Sequence, residues 1–169
     1  ELHGAVVAAH ERRFGVASPR ALEAMSALAS ELAWTNRPAS AEAWARRAVD
    51  GFRRLAPDER APDALLILAR ILANSGANLE GLACCAEGRT LAAATDTLAV
   101  LAPRIALVEA RCLRALNRHA EAERALQSSH PALAPDAPPY RRVPVEVIAA
   151  CMELYADWSA AEPEARLVE

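Results

Sequence analysis

The stretch that decides the fold is Leu116–Leu126, which reads LNRHAEAERAL. It begins with a polar turn, Asn117–His119, and continues with alanines at 120, 122 and 125 among acidic and basic residues. Alanine, leucine, arginine and glutamate are strong helix formers, so we predict that a helix starts directly after the turn. Its small residues stand where a buried helix face usually carries large ones. We therefore expect this helix to cross a neighbour closely, because only small side chains let two backbones approach.

The composition predicts an all-α protein. The chain has 169 residues, of which 53% are hydrophobic but only 4% aromatic, and strands favour aromatic and β-branched side chains. A net charge of −3 and a pI near 5.9 argue against a general binder of nucleic-acid backbones. No apolar run has the length of a membrane span, so we expect no membrane partner. Because the chain opens without Met or a leader pattern, we interpret it as a piece of a longer, cytoplasmic polypeptide.

The four cysteines, at positions 84, 85, 112 and 151, include no CxxC pair. Neighbouring residues rarely reach disulfide geometry, so Cys84 and Cys85 are poor candidates for a disulfide bond. We interpret the cysteines as small buried hydrophobic residues in a reducing compartment, with a redox role as the alternative. Cys112 approaches Cys84 and Cys85 only across a hairpin and the histidines are scattered, so we predict no metal site.

Apolar residues recur at helical spacing along most of the chain. The predicted segments are a leading helix at 1–17, repeats at 18–55, 62–95 and 97–129, a proline-rich loop at 130–144 and a closing helix at 145–158, all within one domain. We expect Asp96 to cap the helix that follows it. We expect Pro103 to kink that helix or to shorten it from the front.

The turns at 36–38, 74–78 and 117–119 align as an internal repeat of 40 and 41 residues. Small residues stand at matching distances from each turn, namely Ala29, Ala69 and Ala110 before it and Ala41, Gly81, Ala122, Ala48, Gly88 and Ser129 after it. This pattern predicts antiparallel helical hairpins whose two helices cross at the small residues. Since glycine inside a helix costs about 1 kcal/mol relative to alanine, we predict that the second hairpin is the softest.

These positions resemble the tetratricopeptide repeat, a two-helix unit with small residues at its crossing points. The stretch NRHAEAERAL is similar to that family's turn and second helix. The stretch RRFGVASPRALEAMSALASELA (12–33) is similar to the junction between repeats in the longer, kinesin-light-chain-like variety. The resemblance covers roughly residues 5–129 and implies a right-handed superhelical α-solenoid that binds proteins. The tail CMELYADWSAAEPEA (151–165) is similar to the segment that closes such repeats in large bacterial serine/threonine kinases.

In this family, one face of each repeat's first helix lines a concave groove. The residues that match it by position are Glu23, Ser26, Ser30, Ala33, Trp34, Asp63, Leu66, Arg70, Ala73, Asn74, Arg104, Leu107, Arg111, Arg114 and Ala115. The paired asparagines of the long variety are absent, so its usual ligand chemistry does not carry over. We predict instead a basic stripe of Arg70, Arg111 and Arg114 that pairs with carboxylates, beside apolar pockets at Leu66 and Leu107. The alternative is that these arginines are ordinary solvated charges.

The sequence contains no glycine-rich phosphate loop and no hydrolase, metalloprotease or kinase motif, so we predict neither an enzyme nor a cofactor. His119 occupies the aromatic position of the family turn, which favours a packing role. The predicted function is that of a scaffold that binds a protein or peptide, acidic ones included, in the groove. The alternative is a self-association module of a larger bacterial signalling or regulatory protein, with an apolar patch around Tyr155 and Trp158. A nucleic-acid-binding solenoid is disfavoured by the net charge.

Overall fold

The computed structural model describes residues 2–15, 17–55, 57–129 and 145–161. The helices in these ranges are α1 (Leu2–Phe14), α2 (Pro19–Trp34), α3 (Pro38–Arg53), α4 (Ala61–Ser75), α5 (Asn78–Ala94), α6 (Leu98–Ala115), α7 (His119–Ser129) and α8 (Val145–Ala161). No strand occurs in the described residues, so the all-α prediction is confirmed. The predicted proline-rich loop lies outside the described residues.

The three aligned turns share one backbone conformation. Asn36, Gly76 and Asn117 have φ values of 57°, 86° and 58°, in the left-handed region that glycine adopts freely and asparagine more readily than most residues. After Asn36, the Arg37 N–H donates back to Leu32 O at 3.0 Å, and equivalent bonds follow the other two turns. Such bonds satisfy carbonyls that the end of a helix leaves free. The turn residues therefore end the first helix of each hairpin.

The predictions that Asp96 caps α6 and that Pro103 shortens this helix were wrong, whereas the alternative of a kink at Pro103 stays a prediction. Asp96 has a φ of 58°, and Thr97 N–H donates to Ala92 O at 2.9 Å, so Asp96 ends α5 in the same left-handed manner. No side chain caps α6, which begins at Leu98. Pro103 lies inside α6 and does not shorten it, because the helix begins ahead of the proline. A residue that must take a positive φ to end one helix is not free to cap the next.

The helices pack in two alternating sets. Each helix contacts the next one along the chain from α1 to α7, and α7 contacts α8. The even-numbered helices also contact one another in order, α2 with α4, α4 with α6 and α6 with α8, whereas the described odd-numbered helices have no such backbone contacts among themselves. We call the surface formed by the even-numbered helices the even-helix face and that formed by the odd-numbered helices the odd-helix face.

The hairpin helices cross closely at the aligned small residues. Ala29, Ala41, Ala69 and Ala122 are all fully buried. A Cβ added to Gly81 would lie only 3.3 Å from the carbonyl oxygen of Ala69, so the backbones of α4 and α5 nearly touch there. These contacts agree with the predicted crossing and with the reason for the small residues in the opening stretch.

The core is divided in two. The larger cluster runs from α1 to α6, and a smaller one joins α6, α7 and α8 through Ala110, Leu113, Ala122, Leu126 and Leu154. His119 is also buried, at 6% exposure, in keeping with its predicted packing role. The smaller cluster holds α8 against the end of the last hairpin, and this placement makes α8 one wall of a cleft that α4 and α6 also line.

Candidate partner-binding face

Helices α4, α6 and α8 enclose a cleft of about 480 Å³ on the even-helix face. This volume falls within the range of protein ligand clefts. Six of the predicted groove residues line it, namely Leu66, Arg70, Arg104, Leu107, Arg111 and Arg114. Helix α8 contributes Ala149, Ala150, Glu153 and Leu154 to the opposite wall. The cleft is therefore apolar at its centre and carries charges on both walls.

Helical spacing places these residues on one surface. Leu66 and Arg70 are four residues apart on α4, and Leu107 and Arg111 have the same spacing on α6, so each pair projects from one side of its helix. The two pairs are themselves 41 residues apart, which is the spacing of the repeat. Leu66 is buried at 5% exposure and Leu107 is half-buried. Two leucines and two arginines thus repeat side by side along the cleft.

Arg70 is held in place without a carboxylate partner in the part of the chain that the structure describes. Its Nη2 donates a hydrogen bond to Ser30 Oγ at 2.7 Å, and its guanidinium lies 5.9 Å from the centre of the Trp34 ring. Burial lowers the pKa of Arg70 below its usual value, and the nearby charges of Arg104 and Arg111 lower it further, whereas Asp63 raises it. The environment therefore disfavours the positive charge of Arg70, and an anion in the cleft would relieve this.

Arg111 is exposed and makes no hydrogen bond or ion pair with any residue that the structure describes. It stands one repeat after Arg70, on the neighbouring helix of the same face. A guanidinium offers several donors in a planar fork that matches a carboxylate. Arg70 and Arg111 are therefore two cations whose donors are available to a ligand.

Two further arginines of the cleft are already paired. Arg104 Nη1 donates to Asp63 at 2.7 Å and so joins α6 to α4. Arg114 bonds Asp157 at 2.6 Å and lies 3.1 Å from Glu153, which joins α6 to α8. The predicted stripe of Arg70, Arg111 and Arg114 is consequently not uniform, because the acids of α8 neutralise Arg114.

The remaining predicted residues lie away from the cleft. Glu23 is exposed and approaches Arg60 at 3.7 Å. Ser26 is buried and donates to Leu22 O of its own helix at 3.2 Å, so its hydroxyl is not presented to a partner. Asn74 is exposed near the end of α4. The members from the first repeat contribute to the cleft only indirectly, where Ser30 and Trp34 position Arg70.

Sequence reasoning missed the share of α8 in the cleft, although a signal for it exists. The spacing of 41 residues that relates Ala69 to Ala110 also relates Ala110 to Cys151 and Leu113 to Leu154. Extending the alignment by one more period would have placed α8 as a further first helix. The proline-rich segment before it hid this continuation, because it interrupts the apolar pattern.

Sequence reasoning also missed the ion pairs of the odd-helix face. Arg46 donates two hydrogen bonds to the carboxylate of Glu80, one of them from Nη2 at 2.9 Å. Arg53 donates two to the carboxylate of Glu87, at 2.6 and 2.9 Å. Both pairs join α3 to α5 with a separation of 34 residues. The sequence does contain a signal for these pairs, because seven residues separate the two arginines and seven residues also separate the two glutamates. Unlike Arg70, Arg46 and Arg53 are therefore paired with carboxylates.

The cysteines are free thiols in the described structure. Cys84, Cys85 and Cys112 are buried, and burial raises their pKa values, that of Cys112 to about 11. A thiol with a raised pKa stays protonated near neutral pH and is a poor nucleophile. Within the described ranges, no group of three or more His, Cys, Asp or Glu residues is placed to hold a metal ion. None of the described helices combines the length and apolarity needed to cross a membrane.

Comparison with models of known protein families, with curated proteins and with solved structures found no match. The resemblance to tetratricopeptide repeats therefore depends on the residues of the turns and helix crossings.

Proposed function

We propose that this chain is a tetratricopeptide-like α-solenoid, a right-handed array of hairpins, whose even-helix face binds a peptide segment of another protein without a chemical step. The observation that carries this proposal is the cleft in which Arg70 and Arg111, beside Leu66 and Leu107, have no carboxylate partner among the described residues. The matching ligand is a short segment with an apolar side chain next to one or two carboxylates. The proposed role of the chain is non-catalytic binding, which requires no cofactor.

The energetics favour such a ligand. A hydrogen bond to a charged group contributes about 1.5–3 kcal/mol, and each 1.4 kcal/mol changes affinity tenfold. Carboxylates that pair with Arg70 and Arg111 would also offset the burial, and the repulsion from Arg104 and Arg111, that lower the pKa of Arg70. An apolar side chain between the two arginines would cover Leu66 and Leu107. Charge gives the ligand its orientation and the leucines add burial.

The test selects peptides from a random display library against the native chain and measures their affinity for two variants. In Arg70→Glu/Arg111→Glu the two unpaired cations of the cleft are reversed. The matched control, Arg37→Glu/Arg54→Glu, makes the same charge change at exposed arginines away from the cleft. Circular dichroism establishes that all three proteins are equally helical before binding is compared.

We expect the selected peptides to combine acidic and apolar residues and to bind the control variant as they bind the native chain. Their affinity for Arg70→Glu/Arg111→Glu should fall at least tenfold. Equal affinity for this variant and the native chain would contradict the proposal.

The resemblance of the tail (151–165) to the segment that closes such repeats in bacterial kinases supports a broader setting for the chain. In this setting the chain is a cytoplasmic regulatory part of a larger bacterial signalling protein. Its partner is a protein rather than nucleic acid or a membrane. The net charge of −3 favours this class of partner over nucleic acid. Binding to duplex DNA that weakens steeply with salt would contradict this part of the proposal.

A second candidate function is self-association, and a specific observation favours it. Ile148, Met152 and Tyr155 are 45%, 68% and 36% exposed and follow one another at intervals of four and three residues on α8. This spacing places them on one side of the helix, where they form an apolar stripe. The side chain of Trp158, the other residue of the predicted patch, lies outside the described residues. Molar mass that rises with concentration would support this candidate, and a constant mass of one chain would contradict it.

A further inference from the structure

Two arginines of the cleft that have no carboxylate partner among the described residues lie at the same level on neighbouring helices. Arg70 on α4 and Arg111 on α6 are 41 residues apart, as are Leu66 and Leu107 one turn before them. All four residues line the cleft, and α4 contacts α6 directly. Because the axes of packed helices are about 8–10 Å apart, both guanidinium groups can reach one small anion that lies between them.

Both arginines have hydrogen-bond donors left for such an anion. The Nη2 of Arg70 bonds Ser30 Oγ, and its guanidinium lies 5.9 Å from the centre of the Trp34 ring, so these two contacts restrict its rotation. Its Nε and Nη1 donate to no described residue, and Arg111 donates no hydrogen bond within the described ranges. A donor that is already held in place loses less conformational freedom when a ligand binds.

The charges of the cleft favour a compact dianion over an extended acidic segment. Arg70 and Arg111 carry two positive charges with which no described carboxylate pairs. On the α8 wall, Glu153 and Asp157 share the single positive charge of Arg114, which leaves one negative charge in excess. A row of carboxylates along the cleft would meet repulsion from this excess charge, whereas two negative charges on one group between the two arginines would stay away from it.

A phosphorylated side chain has this form. Phosphoserine or phosphothreonine carries a charge of about −1.5 to −2 near pH 7 and offers three strong acceptor oxygens. The planar fork of a guanidinium bonds phosphate oxygens in pairs. A carboxylate brings one charge and two oxygens, so it satisfies one arginine and leaves the other without a partner.

We propose that the segment bound in this cleft is phosphorylated, with its phosphoryl group between Arg70 and Arg111 and an apolar neighbour of the phosphorylated residue on Leu66 and Leu107. This inference rests on the proposed function, because it specifies the anion that the same site recognises. Recognition leaves the phosphate ester intact. A segment with a carboxylate at this position binds in the same cleft but more weakly.

The test compares three fluorescein-labelled peptide libraries by fluorescence anisotropy. The libraries share randomised flanking residues, and the fixed central residue is phosphoserine, glutamate or serine. Unlabelled phosphoserine library and inorganic phosphate serve as competitors. The variant Arg111→Gln removes one of the two cations, and the matched control Arg37→Gln removes an exposed arginine away from the cleft. Circular dichroism establishes that the native chain and both variants are equally helical.

We expect the native chain to bind the phosphoserine library at least about tenfold more tightly than the glutamate library, because only the phosphoryl group satisfies both arginines. Arg111→Gln should abolish this preference, and Arg37→Gln should keep it. Lowering the pH from about 7.5 to about 5.5 should weaken binding of the phosphoserine library about fourfold, since a phosphate monoester gains its second proton near pH 6. The glutamate library stays ionised over this range, so its affinity should change little.

This pH dependence reports on the ligand rather than on the cleft. The charged groups around the proposed position are Asp63 and Arg70 of α4, Arg104, Arg111 and Arg114 of α6, and Glu153 and Asp157 of α8. None of the described lining residues is a histidine, the residue type whose ordinary pKa lies in the range tested.

Equal affinity of the native chain for the phosphoserine and glutamate libraries would overturn this inference and leave the proposed peptide-binding function intact. A phosphoserine preference that Arg111→Gln retains would also overturn it, because the phosphoryl group would then bind elsewhere. If inorganic phosphate competes as well as the unlabelled phosphoserine library does, the ligand is free phosphate and not a peptide segment. Absence of binding by all three libraries would overturn this inference and the proposed function together.

Discussion

The first and second hairpins solve the same packing problem with different residues. In α2–α3 the second helix carries Ala41 at the crossing, whereas in α4–α5 the same position is Gly81. The first hairpin has its glycine later in the helix, where Gly51 faces Leu22 of α2. The number of glycines therefore does not tell how soft a hairpin is, since each glycine has a different neighbour.

The neighbours explain the difference. A Cβ at Gly51 would lie 2.2 Å from Leu22 Cδ2, inside the core. A Cβ at Gly81 would lie 3.0 Å from Cys112 Sγ, because α5 is enclosed between α4 and α6. At Gly88 the nearest atoms, Leu65 Cβ and Pro62 O, are 3.6 and 3.7 Å away, which is ordinary contact. Softness of the second hairpin stays a prediction, and substitution of these glycines by alanine separates helix propensity from close packing.

Gly51→Ala has the largest expected effect. The added methyl overlaps the buried Leu22 side chain, and overpacking of a core costs about 1–3 kcal/mol, which exceeds the gain in helix propensity of about 1 kcal/mol. Because the overlap at 2.2 Å is severe, the cost lies in the upper part of this range, about 2–3 kcal/mol, and we expect the free energy of unfolding in urea to fall by about 1–2 kcal/mol net. Ala43→Gly, at an exposed position of the same helix, measures propensity alone. An unchanged or higher stability of Gly51→Ala would contradict the contact with Leu22.

Gly88→Ala is expected to stabilise the protein. The new methyl makes only ordinary contacts, so the gain in helix propensity is retained, about 0.5–1 kcal/mol. The measurement is the free energy of unfolding in urea, together with hydrogen exchange of the α5 amides. Slower exchange confined to α5 would support a soft second hairpin, and a loss of stability would show that α5 has no room at this position.

The effect of Gly81→Ala on the free energy of unfolding is expected to lie between those of Gly51→Ala and Gly88→Ala. The propensity gain is offset by contacts of 3.0 Å with Cys112 Sγ and 3.3 Å with Ala69 O, so stability should change by less than about 0.5 kcal/mol. In a Cys112→Ala background one of these contacts is gone, and the same substitution should be more favourable than in the native chain. A double-mutant cycle measures this coupling. Complete additivity would mean that α6 does not constrain Gly81.

The ion pair between Arg53 and Glu87, which joins the first two hairpins, is expected to have a small effect that depends on pH. The hydrogen bonds from Arg53 lower the pKa of Glu87 below its ordinary value of 4.5. A lowered pKa in the folded state stabilises the protein above the unfolded-state value, and this stabilisation is lost as pH falls through the folded value. Arg53→Gln should therefore cost about 0.2–1 kcal/mol near pH 7 and almost nothing well below the folded pKa.

Urea unfolding near neutral pH and at a pH well below 4.5, each at low and high salt, measures this difference. A matched variant, Arg54→Gln, removes an exposed arginine next to Arg53 and should show no such pH dependence. Equal pH dependence of the two variants would contradict the role of the Glu87 pair.

Much of the candidate site followed from local pattern. Leu66, Arg70, Leu107 and Arg111 were placed on one face because repeat spacing and helical period both act over short distances. The pairing of Arg114 did not follow, since its partners Glu153 and Asp157 are 39 and 43 residues away and lie beyond the proline-rich segment. No local pattern tells which distant carboxylate an arginine will reach.

Local preferences in the sequence set the helices, the turns at Asn36, Gly76 and Asn117, and the small residues at the crossings. Each of these depends on the conformational preference of a residue or on the period of a helix. The packing of distant helices set which arginines are paired and which side chains of α8 line the cleft. These outcomes depend on which helices come to lie side by side, and that arrangement is fixed by burial summed over the whole array.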